Sequence, residues 1–269
     1  MKRLLLTMIM VLALVAAGCE GPRGVDRPSF DPGIDPDSWV TVPAGEFLMG
    51  QWLEPTMIDY DYEIMTTPVT NAQYAQYLNE ALAEEFIKID TPENNFELIS
   101  SIDTGIGVYA HYPGDPFTDG KHEFPIDGGY RLQMPLDHPD TRIVYNEGSQ
   151  TFSVISPYEN HPVTNVTWFG AWSYAEYYGY RLPTDAEWQK AARGTDDRSY
   201  PVGDEISGAN ANYYSSGDPF EAEVGKSGDT TPVGFYNGQT YNGFESIDSP
   251  SPYGAYDMAG NVWEWLGDV

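Results

Sequence analysis

The 269-residue chain has one cysteine, Cys19, and four histidines, His111, His122, His138 and His161. A lone thiol excludes an internal disulfide. The histidines show no H-x-x-x-H or similar spacing, which argues against a zinc or iron centre. Basic residues are scarce too, 13 Lys and Arg against 41 Asp and Glu, for a formal charge of −28. Such a surface repels phosphate backbones and excludes nucleic acid as the expected partner. The chain lacks internal repeats and low-complexity runs. Its one long apolar run, Leu4 to Ala17, is too short to span a bilayer comfortably.

Aromatic and turn-forming residues are plentiful: 20 Tyr, 11 Phe and 7 Trp, with 27 Gly and 21 Pro. That mixture favours a loop-rich α+β fold over a helical bundle, and the length suits one large domain or two small ones. Most of the carboxylates read as a solvated acidic surface, and some as oxygen donors to hard cations such as Ca²⁺.

Residues 1–18 read as an export signal. Lys2 and Arg3 precede the apolar run, and Ala16-Ala17-Gly18-Cys19 resembles a bacterial lipobox. Cleavage before Cys19 and lipidation of its thiol would anchor the chain to a membrane, outside the cytoplasm, in the bacterial cell envelope. Residues 19–38, rich in Pro, Gly and Asp, are expected to form an acidic tether. The domain is expected to fill residues 39–269.

Within it, Trp39-Val40-Thr41-Val42 and Gly45-Glu46-Phe47-Leu48-Met49 read as strands around a Pro-Ala-Gly turn. Met57 to Ile64 largely alternates apolar and acidic residues, which predicts one half-buried strand. Helices are predicted from Thr70, from near Thr167 and from Thr184. Thr70-Asn71-Ala72-Gln73 and Thr184-Asp185-Ala186-Glu187 fit capping boxes, and Gly194 is placed to end the third helix. About 80 residues separate the first two helices. There Arg142 to Tyr145 and Thr151 to Ile155 can pair as a hairpin. From Asp196 to Ser249 the chain reads mostly as loop.

The last segment puts Ala259-Gly260-Asn261 almost directly before Trp263-Glu264-Trp265. In an extended chain Glu264 would face away from both indoles. An acid so flanked is a costly buried charge or a ligand.

The order of these pieces resembles the formylglycine-generating-enzyme (sulfatase-modifying-factor) domain family. The matching residues are Val42 to Gly50, Thr67 to Tyr74, His161 to Trp168, Arg181 to Trp188 with Ala191 to Gly194, Ala211-Asn212-Tyr213, Thr231 to Gly234, and Gly260 to Trp265. The resemblance implies a variant of the C-type lectin fold, α+β and loop-rich, with a small antiparallel sheet and two or three helices. It implies that Arg181 pairs with a carboxylate in or near the core and that Trp168, Trp172 and Trp188 are core residues.

It also implies structural Ca²⁺. One ion would take the side chains of Asp257 and Glu264 and the carbonyls of Gly260 and Val262. A second would start from Asn212 and the carbonyl of Tyr213, with Asp218 and Asp229 as the acids in a loop that departs from the family pattern. The family's namesakes convert a sulfatase cysteine to formylglycine with copper and a cysteine pair located after the Trp-Glu-Trp motif. The sequence holds no such pair, so copper is expected only in a longer parent that carries it, and the domain is expected to be incomplete at its C-terminus. Two readings stand: a non-catalytic, calcium-stabilised binding or envelope-assembly module with a protein or glycan partner, and a fragment of the oxidoreductase.

Overall fold

The computed structural model describes residues 30–90, 106–118, 123–126, 128–220 and 229–268. The export signal and Cys19 lie outside the described residues. Among those described, no helix is long and apolar enough to cross a membrane.

Two interleaved strand pairs open the domain. β1 (Trp39–Val42) pairs antiparallel with β4 (Tyr62–Met65), and β2 (Gly45–Met49) with β3 (Glu54–Ile58). The stretch read as one strand from Met57 to Ile64 is therefore two strands. The break at 59–61 lets the chain change partner from β2 to β1, and the Asp61 carboxylate fixes it by accepting the Ala44 N–H at 2.7 Å.

Helix α1 (Asn71–Ala83) begins at Thr70, whose hydroxyl and the Gln73 side chain form the expected capping box. Its buried face, Tyr74, Ala75, Tyr77, Leu78 and Ala81, has helical spacing. Asn71 at its first turn is buried, and its Nδ2 donates to the carbonyls of Tyr158, His161 and Pro162. That cluster of bonds joins α1 to the 158–162 loop.

The long connection is a small β region. β5 (Ile87–Asp90), β6 (Gly107–Tyr112) and β9 (Gly129–Pro135) form an antiparallel sheet in that order, with a bulge at Val108 and Tyr109. β7 (Asp115–Thr118) pairs with β8 (Glu123–Ile126). β10 (Ile143–Asn146) and β11 (Thr151–Val154) form the expected hairpin. The sheet, the hairpin, α1 and α2 (Trp168–Tyr177) enclose the main core, where Tyr74, Tyr77, Leu78, Val108, Met134, Ile143 and Phe152 are buried. Each such side chain contributes roughly 1.5–3 kcal/mol through burial.

Helix α3 (Asp185–Arg193) has the second expected capping box and ends at Gly194, whose φ is +75°. A Cβ there would meet Pro252 at 2.9 Å, so both the turn and the contact call for glycine. Its inner face packs Ala191 and Ala192 against Val42, Ala255 and Met258. Beyond it, the described chain is loop except for the short pair β12 (Thr240–Tyr241) and β13 (Phe244–Glu245).

Residues 30–38, expected in the tether, are packed onto the domain. The Phe30 ring lies 5.9 Å from Phe220 and 4.6 Å from Tyr241. The Pro32 carbonyl accepts from Asn237 and Gln239 side chains. Phe30 supplies the apolar burial that the Pro- and Asp-rich composition around it conceals. The architecture is thus α+β, with three helices and small antiparallel sheets.

Candidate cation cradle and binding cleft

The terminal segment is docked by main-chain and indole bonds rather than by strand pairing. Tyr256 N–H donates to the Thr66 carbonyl at 2.7 Å and Gly267 N–H to Pro183 at 2.8 Å. The Trp265 indole donates to the Val166 carbonyl at 2.9 Å, and that of Trp168 to Leu266 at 2.8 Å. Three residues in this segment adopt the left-handed region: Asp257, Gly260 and Asn261, with φ of +58°, +82° and +60°. A Cβ on Gly260 would come within 2.1 Å of the Asn212 carbonyl oxygen, so the segment approaches Asn212 as closely as a backbone can. The Asn261 N–H donates to that same oxygen at 2.8 Å.

This backbone turns Asp257 and Glu264 inward. Asp257 Oδ2 accepts from the Gly234 N–H at 2.6 Å, and Glu264 Oε2 from the Trp188 indole at 3.0 Å. Both donors are neutral, and no ion pair among the described residues engages either carboxylate. Loss of water therefore dominates their chemistry. Burial pushes Asp257 up to about 6, against the pull of the Gly234 and Asn261 donors. Burial likewise pushes Glu264 up to about 7; the Trp188 bond opposes this, and the negative charge of Asp257 adds to it. Two like-charged carboxylates, oriented but left without a counter-charge, form a donor set suited to a hard cation. The described residues hold no group of three or more His, Cys, Asp and Glu side chains able to enclose a metal. Any further protein donors here would be main-chain or amide oxygens. Of the two expected carbonyls, that of Gly260 already accepts the Val262 N–H at 2.8 Å, leaving one lone pair.

The expected second group is brought together only in part. Asn212 is buried, and its Nδ2 donates to the Asp229 carbonyl at 2.6 Å. The Tyr213 carbonyl takes the Ser216 N–H at 2.9 Å. Asp218 is buried with its oxygens on Phe220 N–H and Ser216 Oγ. Asp229 accepts from the Tyr158 hydroxyl at 2.6 Å and the Thr230 N–H at 2.9 Å, with the Arg142 guanidinium 3.9 Å away. The two acids thus have different partners, and one has a cation nearby.

Arg181 has the expected carboxylate partner, Glu187, at 2.6 and 2.7 Å in a two-pronged pair. Thr184 N–H and the Tyr60 hydroxyl also donate to Glu187. Burial raises the Glu187 acid, but these bonds outweigh it and hold the group at about 2.

Beside the cradle is a cleft of about 1520 Å³. Its lining includes Tyr180, Tyr213, Tyr214 and Trp265, all exposed, and Trp263, fully so. Thr67 Oγ1 and Tyr74 OH, buried among the lining residues, have no hydrogen-bond partner among the described residues. The expected alternation is incomplete: Glu264 is half-buried where both indoles are exposed, but all three residues line the same cleft. Sequence reasoning missed Trp188 as the donor to Glu264, reading it as core. Its indole does flank that core, but nothing local links it to an acid 76 positions away.

Comparisons with known proteins bear on this site. The family model described as "Sulfatase-modifying factor enzyme 1-like domain" matches residues 28–269. A protein of Bos taurus named formylglycine-generating enzyme is 34% identical over 267 residues, covering 94% of this chain and 64% of that protein. A protein of Chlamydia caviae named serine/threonine-protein kinase pkn1 is 43% identical over 131 residues, covering 48% of this chain but only 17% of the relative. The chain therefore spans a part of these relatives and not their full length. A solved structure titled "Crystal Structure of CarF" matches with a TM-score of 0.45 and 21% identity, covering 86% of this chain and 80% of that one.

Proposed function

Because the chain belongs to the sulfatase-modifying factor enzyme 1-like domain family, we propose that it is a non-catalytic binding module, stabilised by calcium and anchored in the bacterial cell envelope through a lipid on Cys19. The observation that carries this reading is a carboxylate pair without a counter-charge at the wall of an aromatic cleft. Glu264, near Asp257 and held by a neutral indole, lines that cleft together with the exposed Trp263 and Trp265. In this reading Asp257, Glu264 and the carbonyls of Gly260 and Val262 hold Ca²⁺, and Asn212 with the Tyr213 carbonyl contributes to a second ion. Calcium would supply the missing counter-charge. The chain's own residues orient the carboxylates, and the exposed rings offer flat apolar contacts to a protein or glycan partner. The net charge of −28 disfavours anionic partners.

Calorimetric titration of EDTA-stripped protein with calcium, with magnesium as control, tests this reading. Saturable calcium binding with a rise in melting temperature is expected. No heat of binding and an unchanged melt would end it.

The name of the Bos taurus relative favours a second reading, part of a formylglycine-generating oxidoreductase. The only thiol in the sequence is Cys19, so the copper-binding cysteine pair would have to come from outside these 269 residues. Incubation of a longer parent that includes these 269 residues with copper and a sulfatase-derived cysteine peptide decides between the two. The binding module leaves the thiol unchanged, and aldehyde formation would establish the enzyme.

A further inference from the structure

A cation held by the terminal segment could remain a local event or reach the rest of the fold. The contacts of Trp188 favour the second outcome. Its indole nitrogen is a donor only, and it holds Oε2 of Glu264 at 3.0 Å. That bond fixes the rotation of the carboxylate and leaves Oε1 for another partner. The Gly234 N–H does the same for Asp257 by holding Oδ2. A lysine or arginine in place of Trp188 would orient Glu264 equally well but would neutralise it and compete with a bound cation. An indole orients the carboxylate without reducing its charge.

Trp188 also sits on a helix tied to the rest of the domain by several side-chain bonds. Its chain neighbour Glu187 is held by Arg181, Thr184 and Tyr60. One turn on, Lys190, fully buried, donates to the carbonyls of Pro43 and Gly45. Arg193 donates to the Leu48 carbonyl at 2.7 Å, and Gln189 accepts the Gly50 N–H at 2.8 Å. These bonds fasten α3 to both ends of β2. The Trp188 indole is the direct link from the Glu264 carboxylate to this assembly; the terminal segment also meets α3 through Ala255 and Met258 on Ala191 and Ala192, and through Asp268, whose Oδ1 accepts the Asp185 N–H at 2.7 Å.

We propose that Trp188 is the positioning residue that couples occupancy of the Asp257–Glu264 cradle to α3 and, through α3, to the β1–β4 and β2–β3 pairs. This inference rests on the calcium reading of that cradle.

The test compares wild type with Trp188→Phe, which keeps an aromatic ring and removes the N–H. Calcium affinity is read by calorimetry, and amide hydrogen exchange across residues 185–193 with and without calcium. For the variant, an EDTA melt close to wild type is expected, with affinity about tenfold weaker, the order of one hydrogen bond to a charged acceptor. Calcium should slow exchange in α3 of the wild type and lose that effect in the variant. Equal affinities, or wild-type binding with no protection of α3, would overturn the coupling while leaving the calcium reading intact. Wild-type protein that binds no calcium would overturn both. Should the variant fail to fold, the Trp188 indole N–H resonance of the wild type decides. Movement and slower solvent exchange on calcium saturation support the coupling, and an unmoved resonance overturns it.

Discussion

Asn261 and Thr231 exchange two hydrogen bonds: the Thr231 N–H donates to Asn261 Oδ1 at 3.0 Å, and Asn261 Nδ2 donates to the Thr231 carbonyl at 3.2 Å. The side-chain amide thus imitates a strand neighbour and holds the 231–234 loop beside the terminal segment. The backbone of Asn261 is left-handed, φ +60°, which asparagine tolerates better than most residues. Substitution separates the two roles. Asn261→Gly keeps the backbone and loses both bonds, a cost of about 2 kcal/mol. Asn261→Ala adds about 1 kcal/mol of left-handed strain. Urea melts should therefore rank wild type above the glycine variant, and glycine above alanine. Alanine equal to or above glycine would show that Asn261 carries no such double load.

Glu187 gives the fold an acid-labile point. Its folded-state value of about 2 lies below that of a free glutamate, so the stabilisation is complete above roughly pH 4.5 and is lost as pH falls through about 2. The Arg181 side chain is largely solvent-facing, so screening reduces the contribution to the order of 2 kcal/mol. Glu187→Gln should lower the melting temperature at pH 7 and flatten the stability profile between pH 4.5 and 2. A variant whose profile parallels wild type through that window would place the acid sensitivity elsewhere.

Much of this arrangement is legible in the sequence because its signals are local. Thr70, Thr167 and Thr184 each accept a bond from the third residue on, and all three helices begin where those residues indicate. The 143–154 hairpin is equally local. What the sequence conceals is distant or conformational. The split of 57–64 into two strands depends on which partner each half finds. The packing of Phe30 depends on rings some 200 residues further along the chain. The neutrality of the donors to Asp257 and Glu264 is set by Gly234 and Trp188, both far away in sequence. The raised carboxylate values follow first from burial, which these neutral donors only partly oppose, so they too become visible only in three dimensions.

Cys19 supplies a prediction about cellular location. The lipobox reading of Ala16-Ala17-Gly18-Cys19 requires the thiol, since acyl chains would provide the anchor. Cys19→Ser should shift the protein from the membrane pellet to the soluble fraction on ultracentrifugation, with the domain's melt unchanged. A serine variant that still sediments with membranes would count against the lipid.

The Asp257–Glu264 pair yields a pH dependence opposite in sign to that of Glu187. Values of about 6 and about 7 lie above the ordinary carboxylate range near 4. In metal-free protein the protonated pair therefore favours the fold fully below about pH 4, and this contribution is lost as pH rises through 6 and 7. Replacing both charges, Asp257→Asn with Glu264→Gln, should raise the metal-free melting temperature at pH 7.5 by several degrees, and the gain should shrink at pH 5.5. Calcium inverts the comparison in the proposed reading, because it neutralises the pair only while both groups are ionised. Wild type with calcium should be more stable at pH 7.5 than at pH 5.5, and the double variant should not respond to the ion. If the double variant melts lower than metal-free wild type at pH 7.5, the two carboxylates are already compensated by something other than a cation, and the cradle loses its physical basis.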